Sequence, residues 1–174
     1  MISKLNKADL MYLLDKQEKL DSDIRKRFEI KDITWKSGMS KQHEIALRVE
    51  VSEFVNTAYK SWKYWKTKDM NYDDILEEAI DVIHFVMLQV NKSDLSIEEN
   101  AVIMSYEIHN LDKLVNEEEV RETLYDMIQS YYSEQDILYK LLQVLDYYDF
   151  NTKQIMTMYN KKNEVNFKRL ESGY

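Results

Sequence analysis

With 174 residues, of which 44% are apolar, 32% charged and 12% aromatic, the chain carries enough buryable surface for one ordinary domain and too much for a disordered segment. It has no proline, no cysteine and only two glycines, Gly38 and Gly173, which excludes a glycine-rich phosphate cradle, thiolate metal sites, disulfides and a cysteine nucleophile. The net charge of −8 is unevenly spread: 16 acids and 16 bases over residues 1–92, 14 and 3 over 93–150, and 2 and 5 over 151–174. No basic stripe is offered to duplex nucleic acid. No run reaches the roughly 18 apolar residues of a membrane span, and the opening MISKLNKADL has no apolar leader, so a cytoplasmic protein without a membrane partner is expected.

Apolar residues recur at helical spacing and no stretch sustains strand-like alternation, which predicts an all-α fold, a helical bundle. Leu10, Leu13, Leu14, Leu20, Ile24 and Phe28 mark a first helix over about residues 7–27, and 29–39, with Gly38, reads as a loop. A second helix is expected from Lys41 to Trp62, followed by a lysine-rich connection of Lys63, Lys66 and Lys68. Asn71 or Asp73 caps a third helix that reaches Asn91. Ser96 and Glu99 have capping-box spacing for a fourth. Ser133 followed by Glu134 and Asp136 puts acids at the start of a later helix, with a break near Val115–Glu118. Thr152 is the expected cap of a short last helix, and the tail after Arg169 reads as loose.

The third helix is anomalous. Over Ala79–Val90, nine of twelve residues are apolar, so most of its surface must be buried. Glu78, Asp81 and His84 nevertheless lie in or beside that stretch. Burying an ionised carboxylate alone costs several kcal/mol, so such acids are neutralised, paired or bound to a cation. Glu50 and Glu53 repeat the arrangement on the second helix, beside Ala46, Leu47, Phe54 and Thr57. Spacing alone decides nothing, since eight acid pairs at i, i+3 occur where about six are expected from composition. Context separates them: only Glu50/Glu53 and Glu78/Asp81 sit in strongly apolar stretches.

If these two helices pack antiparallel, as their short connection favours, four carboxylates face one another and require cations. An all-oxygen donor set suits Mg²⁺ or Mn²⁺, ions that recruit substrate phosphates to complete their shells. Salt bridges to Arg48, Lys60 or other bases are the competing explanation. A di-iron site is disfavoured, because among His43, His84 and His109 only His84 has an acid three residues before it.

The order Glu50-x-x-Glu53 followed by Glu78-x-x-Asp81 resembles the all-α NTP pyrophosphatases, the superfamily of the MazG-type enzymes and the dimeric dUTPases. Other segments are similar to the dUTPase branch. AYKSWKYWK, at the end of the second helix, resembles its Trp-Lys-rich segment, and His84-Phe85 follows the metal pair as it does there. LLDKQEKLD resembles its Gln-x-x-Leu-Asn stretch, with Gln17 in place and Asp21 where Asn is more usual. YNKKNEVNFKR carries Tyr159, Lys162, Asn166 and Arg169 in a Tyr-x-x-Lys-x-x-x-Asn-x-x-Arg pattern. The similarity covers residues 13–21, 50–85 and 159–174, and 93–150 matches none of the motifs. Small size, missing cysteine and low glycine are similar to phage-encoded members, whose location is the host cell cytoplasm.

The resemblance implies one catalytic domain over 1–174, with 93–150 as an inserted or accessory helical segment. It implies hydrolysis of dUTP, and of dUDP, to dUMP with two or three Mg²⁺ ions, Mn²⁺ being an alternative. Glu50, Glu53, Glu78 and Asp81 would hold the metal, and Glu50, or else Glu53, would activate water. Trp62 and Phe85 would wall the uracil with Gln17 and His84 at its polar edge, and Asp21, also a substrate-binding position, would alter base or metal contacts. Tyr159, Lys162, Asn166 and Arg169 would line one helix face, Lys162 and Arg169 toward phosphate and Asn166 toward sugar or base. Deleting 159–174 is then expected to remove activity and leave the fold. A homodimer is implied as well. The acidic 93–150 segment, with Tyr106, Tyr125, Tyr131, Tyr132, Tyr139, Tyr147 and Tyr148, is a candidate surface for a regulatory protein. Two readings compete: a MazG-like pyrophosphatase for another nucleotide, and a helical interaction module without turnover.

Overall fold

A computed structural model, which describes residues 5–129 and 133–173, has seven α-helices and no strand among those residues. They are α1 (Lys7–Arg27), α2 (Ser40–Thr57), α3 (Tyr72–Val90), α4 (Ile97–His109), α5 (Glu117–Ile128), α6 (Glu134–Tyr147) and α7 (Thr152–Ser172). At the centre stands α3, which packs against α1, α2, α6 and α7. Its apolar side chains from Ile75 to Val90 are buried except the half-buried Phe85, with Ile80, Ile83, Val86 and Met87 completely so. Each such side chain contributes about 1.5–3 kcal/mol by leaving water, so the packing of α3 outweighs the cost of the few acids it carries inward.

Residues of the acidic stretch belong to the same apolar cluster as α1–α3: Ala101, Met104 and Ile108 of α4, Val120, Leu124 and Met127 of α5, and Leu138, Leu141 and Leu145 of α6. The charge of that stretch lies on the outward faces of amphipathic helices. Local chemistry starts each helix. Asn71 accepts from the Asp73 N–H to cap α3, while Ser96 with Glu99 and Ser133 with Asp136 close complete capping boxes on α4 and α6.

Five expectations are corrected. Residues 34–38 are no plain loop but a π-helical turn, Thr34–Gly38, held because Trp35 is buried against the His43 ring at 4.5 Å with the Arg25 guanidinium over its face. The second helix ends at Thr57, five residues before Trp62, where the Thr57 hydroxyl donates to the Phe54 carbonyl and competes with the helical ladder. A 3₁₀ turn, Tyr59–Ser61, follows, and the Tyr59 hydroxyl ties the chain to the Lys68 and Asp69 carbonyls. The last helix is capped by Asn151 in a box with Gln154, not by Thr152, and it is 21 residues long rather than short. It runs past Arg169 to Ser172 and stops at Gly173, whose φ of 80° suits glycine.

Candidate active site

The cleft between α1, α2, α3 and α7 has a volume of about 530 Å³ and is lined by Gln17, Asp21, Glu50, Glu53, Asp81, His84, Phe85, Lys162, Asn166 and Arg169, with Leu20, Ile24, Phe28, Leu88 and Leu170 as apolar wall. Its acids come from α1, α2 and α3 and its bases from α7. One oxygen each of Glu50, Glu78 and Asp81 lies within 4.8 Å of the other two. Among charged neighbours Asp81 acts most strongly on both Glu50 and Glu78, with Glu53 next for each.

At 4.8 Å and an effective dielectric of about 20, two ionised carboxylates repel by roughly 3–4 kcal/mol, so the cluster cannot hold all its charges without cations. Protonation and pairing both answer this. Burial, followed by the charges of Asp81, Glu53 and Glu78, pushes Glu50 up to about 7. Burial first and Asp81 second raise Glu78. Asp81 is also raised by burial, against the pull of Lys162, whose Nζ sits 2.6 Å from its Oδ2 with both side chains about one-quarter exposed. The compensating base is therefore Lys162; Lys60 pairs with Glu117, and Arg48 donates to the Gln129 carbonyl.

Behind the acids runs a chain of buried polar groups. Gln17 Nε2 donates to Asp21 Oδ1 at 2.8 Å, and Gln17 Oε1 accepts from His84 Nδ1 at 2.7 Å. The Tyr159 hydroxyl donates to the Leu13 carbonyl at 3.2 Å and lies 3.4 Å from the same Gln17 oxygen. Its ring stacks on His84 with centroids 4.2 Å apart. Burial lifts Asp21 to about 7 and, with Lys162 second, lowers His84 to about 3.

Of the expected site residues, the fold brings Gln17, Asp21, Glu50, Glu53, Asp81, His84, Phe85, Lys162, Asn166 and Arg169 into one cleft, with Glu78 in its acid cluster. Glu53 is exposed at the rim and stands outside the tight triad, because its position on α2 points it away from the core that Leu47, Val51 and Phe54 enter. Trp62 is not in the cleft lining: beyond the end of α2 its indole N–H donates to the Val55 carbonyl at 3.0 Å and its ring meets Trp65. Tyr159 is completely buried and supports His84 from behind.

Because Tyr159 and Asn163 are buried, removal of 159–174 would open the core, so that deletion cannot separate activity from folding. The exposed wall residue Phe28 was not among the expected site residues; its signal was the last apolar position of the first helical stripe. On the acidic stretch Tyr106 and Tyr125 are exposed, Tyr139, Tyr147 and Tyr148 pack on the core, and Tyr131 and Tyr132 lie outside the described residues.

Carboxylates and cationic side chains together line this all-helical cleft, a combination suited to a phosphate-bearing ligand. The family model described as dUTPase matches residues 9–174, and the chain belongs to that family. It is a hydrolase of nucleotide metabolism, a dUTP diphosphatase with an all-α fold. dUTPases generally use a divalent metal, and the oxygen-only triad of Glu50, Glu78 and Asp81 is a donor set of the kind hard cations take. No curated relative matches the chain. Among the described residues, no helix is long and apolar enough to cross a membrane.

The raised carboxyl of Glu50 has a consequence for stability. The folded state holds this proton more tightly than the unfolded chain, whose Glu titrates near 4.5, so there is no penalty at pH 4; the penalty grows as pH rises and is complete above about pH 7. Glu50→Gln is expected to stabilise the metal-free protein in EDTA at pH 8 by about 1–2 kcal/mol, after allowance for solvent screening, and to add nothing at pH 4. Urea denaturation at the two pH values measures the difference; equal effects at both would remove the acid cluster as its cause.

Proposed function

We propose that this cleft hydrolyses dUTP to dUMP and pyrophosphate, and dUDP to dUMP, with Mg²⁺ in the cytoplasm, two or three ions being engaged and Mn²⁺ serving in their place. The observation that carries the reading is the convergence of Glu50, Glu78 and Asp81 at a cleft that Lys162, Asn166 and Arg169 also line, with Lys162 in contact with Asp81 and apolar residues in the rest of the lining. Metal would be held by Glu50, Glu78 and Asp81, with Glu53 at the rim, and would supply charge neutralisation for the phosphates and orientation for water. The remaining work belongs to the chain. Glu50, the more buried of the two α2 acids, accepts a proton from the attacking water, and Glu53 is the alternative base. Lys162, once relieved of Asp81, donates to a phosphate oxygen together with Arg169. Asn166 offers a donor and an acceptor to the sugar. Phe85 and Leu88, with Phe28 across the mouth, hold the base, while Gln17, Asp21 and His84 meet its polar edge. Tyr159 keeps His84 in place.

A panel of dUTP, dUDP, dTTP, dCTP and purine nucleotides, assayed for pyrophosphate or phosphate release with Mg²⁺ and with EDTA, tests the reading. Turnover of dUTP that vanishes in EDTA and falls at least about 100-fold in Glu50→Gln is expected. A preference for dTTP would contradict the base assignment, and a preference for another nucleotide would favour the MazG-like alternative. If both Glu50→Gln and Glu53→Gln turned over within a few-fold of the unaltered enzyme, neither acid would be the base.

The outward face of α2 supports a homodimer. Ile45 is 64% exposed and Val49 47% exposed, flanked by Lys41, Glu44, Arg48 and Glu53, a mixture of signs that is self-complementary about a twofold axis. Ile45→Asp is expected to shift the protein from dimer to monomer mass in light scattering after size exclusion, and an unchanged dimer would place the interface elsewhere. A basic regulatory protein is the further partner we propose for the acidic 93–150 face, where Val102, Tyr106 and Tyr125 are exposed; its binding would weaken with added salt.

A further inference from the structure

Two buried atoms of the cleft residues have lost water and gained no partner: Asp21 Oδ2 and His84 Nε2. Buried polar atoms are paired in the great majority of cases, so two orphans beside one cleft call for a ligand that satisfies both. Gln17 determines what each can offer. Its Nε2 donates to Asp21 Oδ1, which makes that oxygen an acceptor and leaves Oδ2 to carry the proton of a neutral Asp21. Its Oε1 takes the N–H of His84 Nδ1, which leaves Nε2 as a lone pair. The wall therefore presents a donor and an acceptor, bridged by one glutamine.

That order suits one pyrimidine edge and opposes the other. Uracil sets a carbonyl oxygen beside an imino N–H; cytosine sets an amino group beside a bare ring nitrogen. A neutral Asp21 with His84 makes two favourable contacts with uracil and two opposed ones with cytosine. After ionisation Asp21 is an acceptor, and each base then makes one favourable and one opposed contact. We propose that Asp21 reads the base as a neutral carboxylic acid, Oδ2–H donating to a pyrimidine carbonyl oxygen while His84 Nε2 accepts the imino N–H, so that ionisation of Asp21 erases the preference for uracil over cytosine. The inference rests on the dUTP-hydrolysing reading of the same cleft.

The electrostatic surroundings allow this switch near neutrality. Burial raises Asp21 to about 7, Glu18 on its own helix adds to the rise, and the Gln17 hydrogen bond and Arg25 oppose it. Arg25 is itself engaged by Glu18 and by Asp32 from the segment before the π turn. From α3 comes His84, held neutral by burial; from α7 come Tyr159, Lys162 and Arg169; from α2 come Glu50 and Glu53 on the facing wall. The α4 carboxylate of Glu98 pairs with Lys7 at the other end of α1.

The test is the ratio of kcat/KM for dUTP to that for dCTP between pH 6 and 8.5, a ratio from which shared phosphate and metal chemistry cancels. For the unaltered enzyme it should fall by about tenfold or more as Asp21 ionises. Asp21→Asn keeps the Gln17 contact through Oδ1 and offers a permanent N–H donor, so its ratio should stay high and flat. In parallel, dUMP and dCMP are titrated into the unaltered protein in EDTA over the same pH range, and their affinity ratio should fall likewise. A flat ratio in the unaltered enzyme, or an Asp21→Asn ratio that falls as steeply, overturns the proposal while leaving dUTP hydrolysis standing. If no nucleotide is turned over at any pH, the hydrolytic reading fails, and the dUMP-to-dCMP affinity ratio alone decides the role of Asp21.

Discussion

Glu78 and Asp81 ride on a helix that has nowhere else to go. Ten apolar side chains of α3 are buried among its neighbours, and that packing brings both acids against Glu50 of α2 whether or not their charges agree. Hydrophobic burial is non-directional and large, while the repulsion it imposes is local and of a few kcal/mol. The protein thus holds a site whose free energy is unfavourable when empty of cations, a condition met here by raised carboxyl pKa values and by the Lys162 ammonium against Asp81. Residues on α7 serve this arrangement in two ways. Tyr159 and Asn163 anchor the helix in the core, while Lys162, Asn166 and Arg169 reach the cleft.

The second constraint is the buried chain from Asp21 through Gln17 to His84. It links α1 to α3 in the interior and ends at both sides in atoms without partners. Such groups are costly in a low-dielectric interior, and they are tolerable where a ligand completes them. Metal side and base side of the cleft therefore share one logic: each leaves polar groups incompletely satisfied, on rigid helices, at the place where substrate groups of opposite character would bind.

Much of this was legible in the chain because its signals are local. Asn71, Ser96 with Glu99, and Ser133 with Asp136 cap helices by hydrogen bonds within three residues, so their positions follow from spacing alone. Where two neighbours compete, the same spacing rule decides: Asn151, not Thr152, caps α7, since Gln154 completes a box only with the residue three before it. The end of α2 was overrun because AYKSWKYWK has no glycine or proline to stop a helix; Thr57 and the Tyr59 tie to residues 68 and 69 do so through contacts that helical periodicity does not register.

What the sequence determined by itself is the helical class, the acid pairs in apolar settings and the motif order on which the family rests, because periodicity, composition and short spacings act along the chain. The tertiary structure alone decided that Lys162 answers Asp81 and that Tyr159 backs His84. It also decided that Glu53 stays at the rim, that Trp62 stays out of the cleft and that Gln17 joins Asp21 to His84. These are contacts between residues far apart in sequence. Their existence depends on helix rotation and crossing, which the packing of the whole core sets and no single segment encodes.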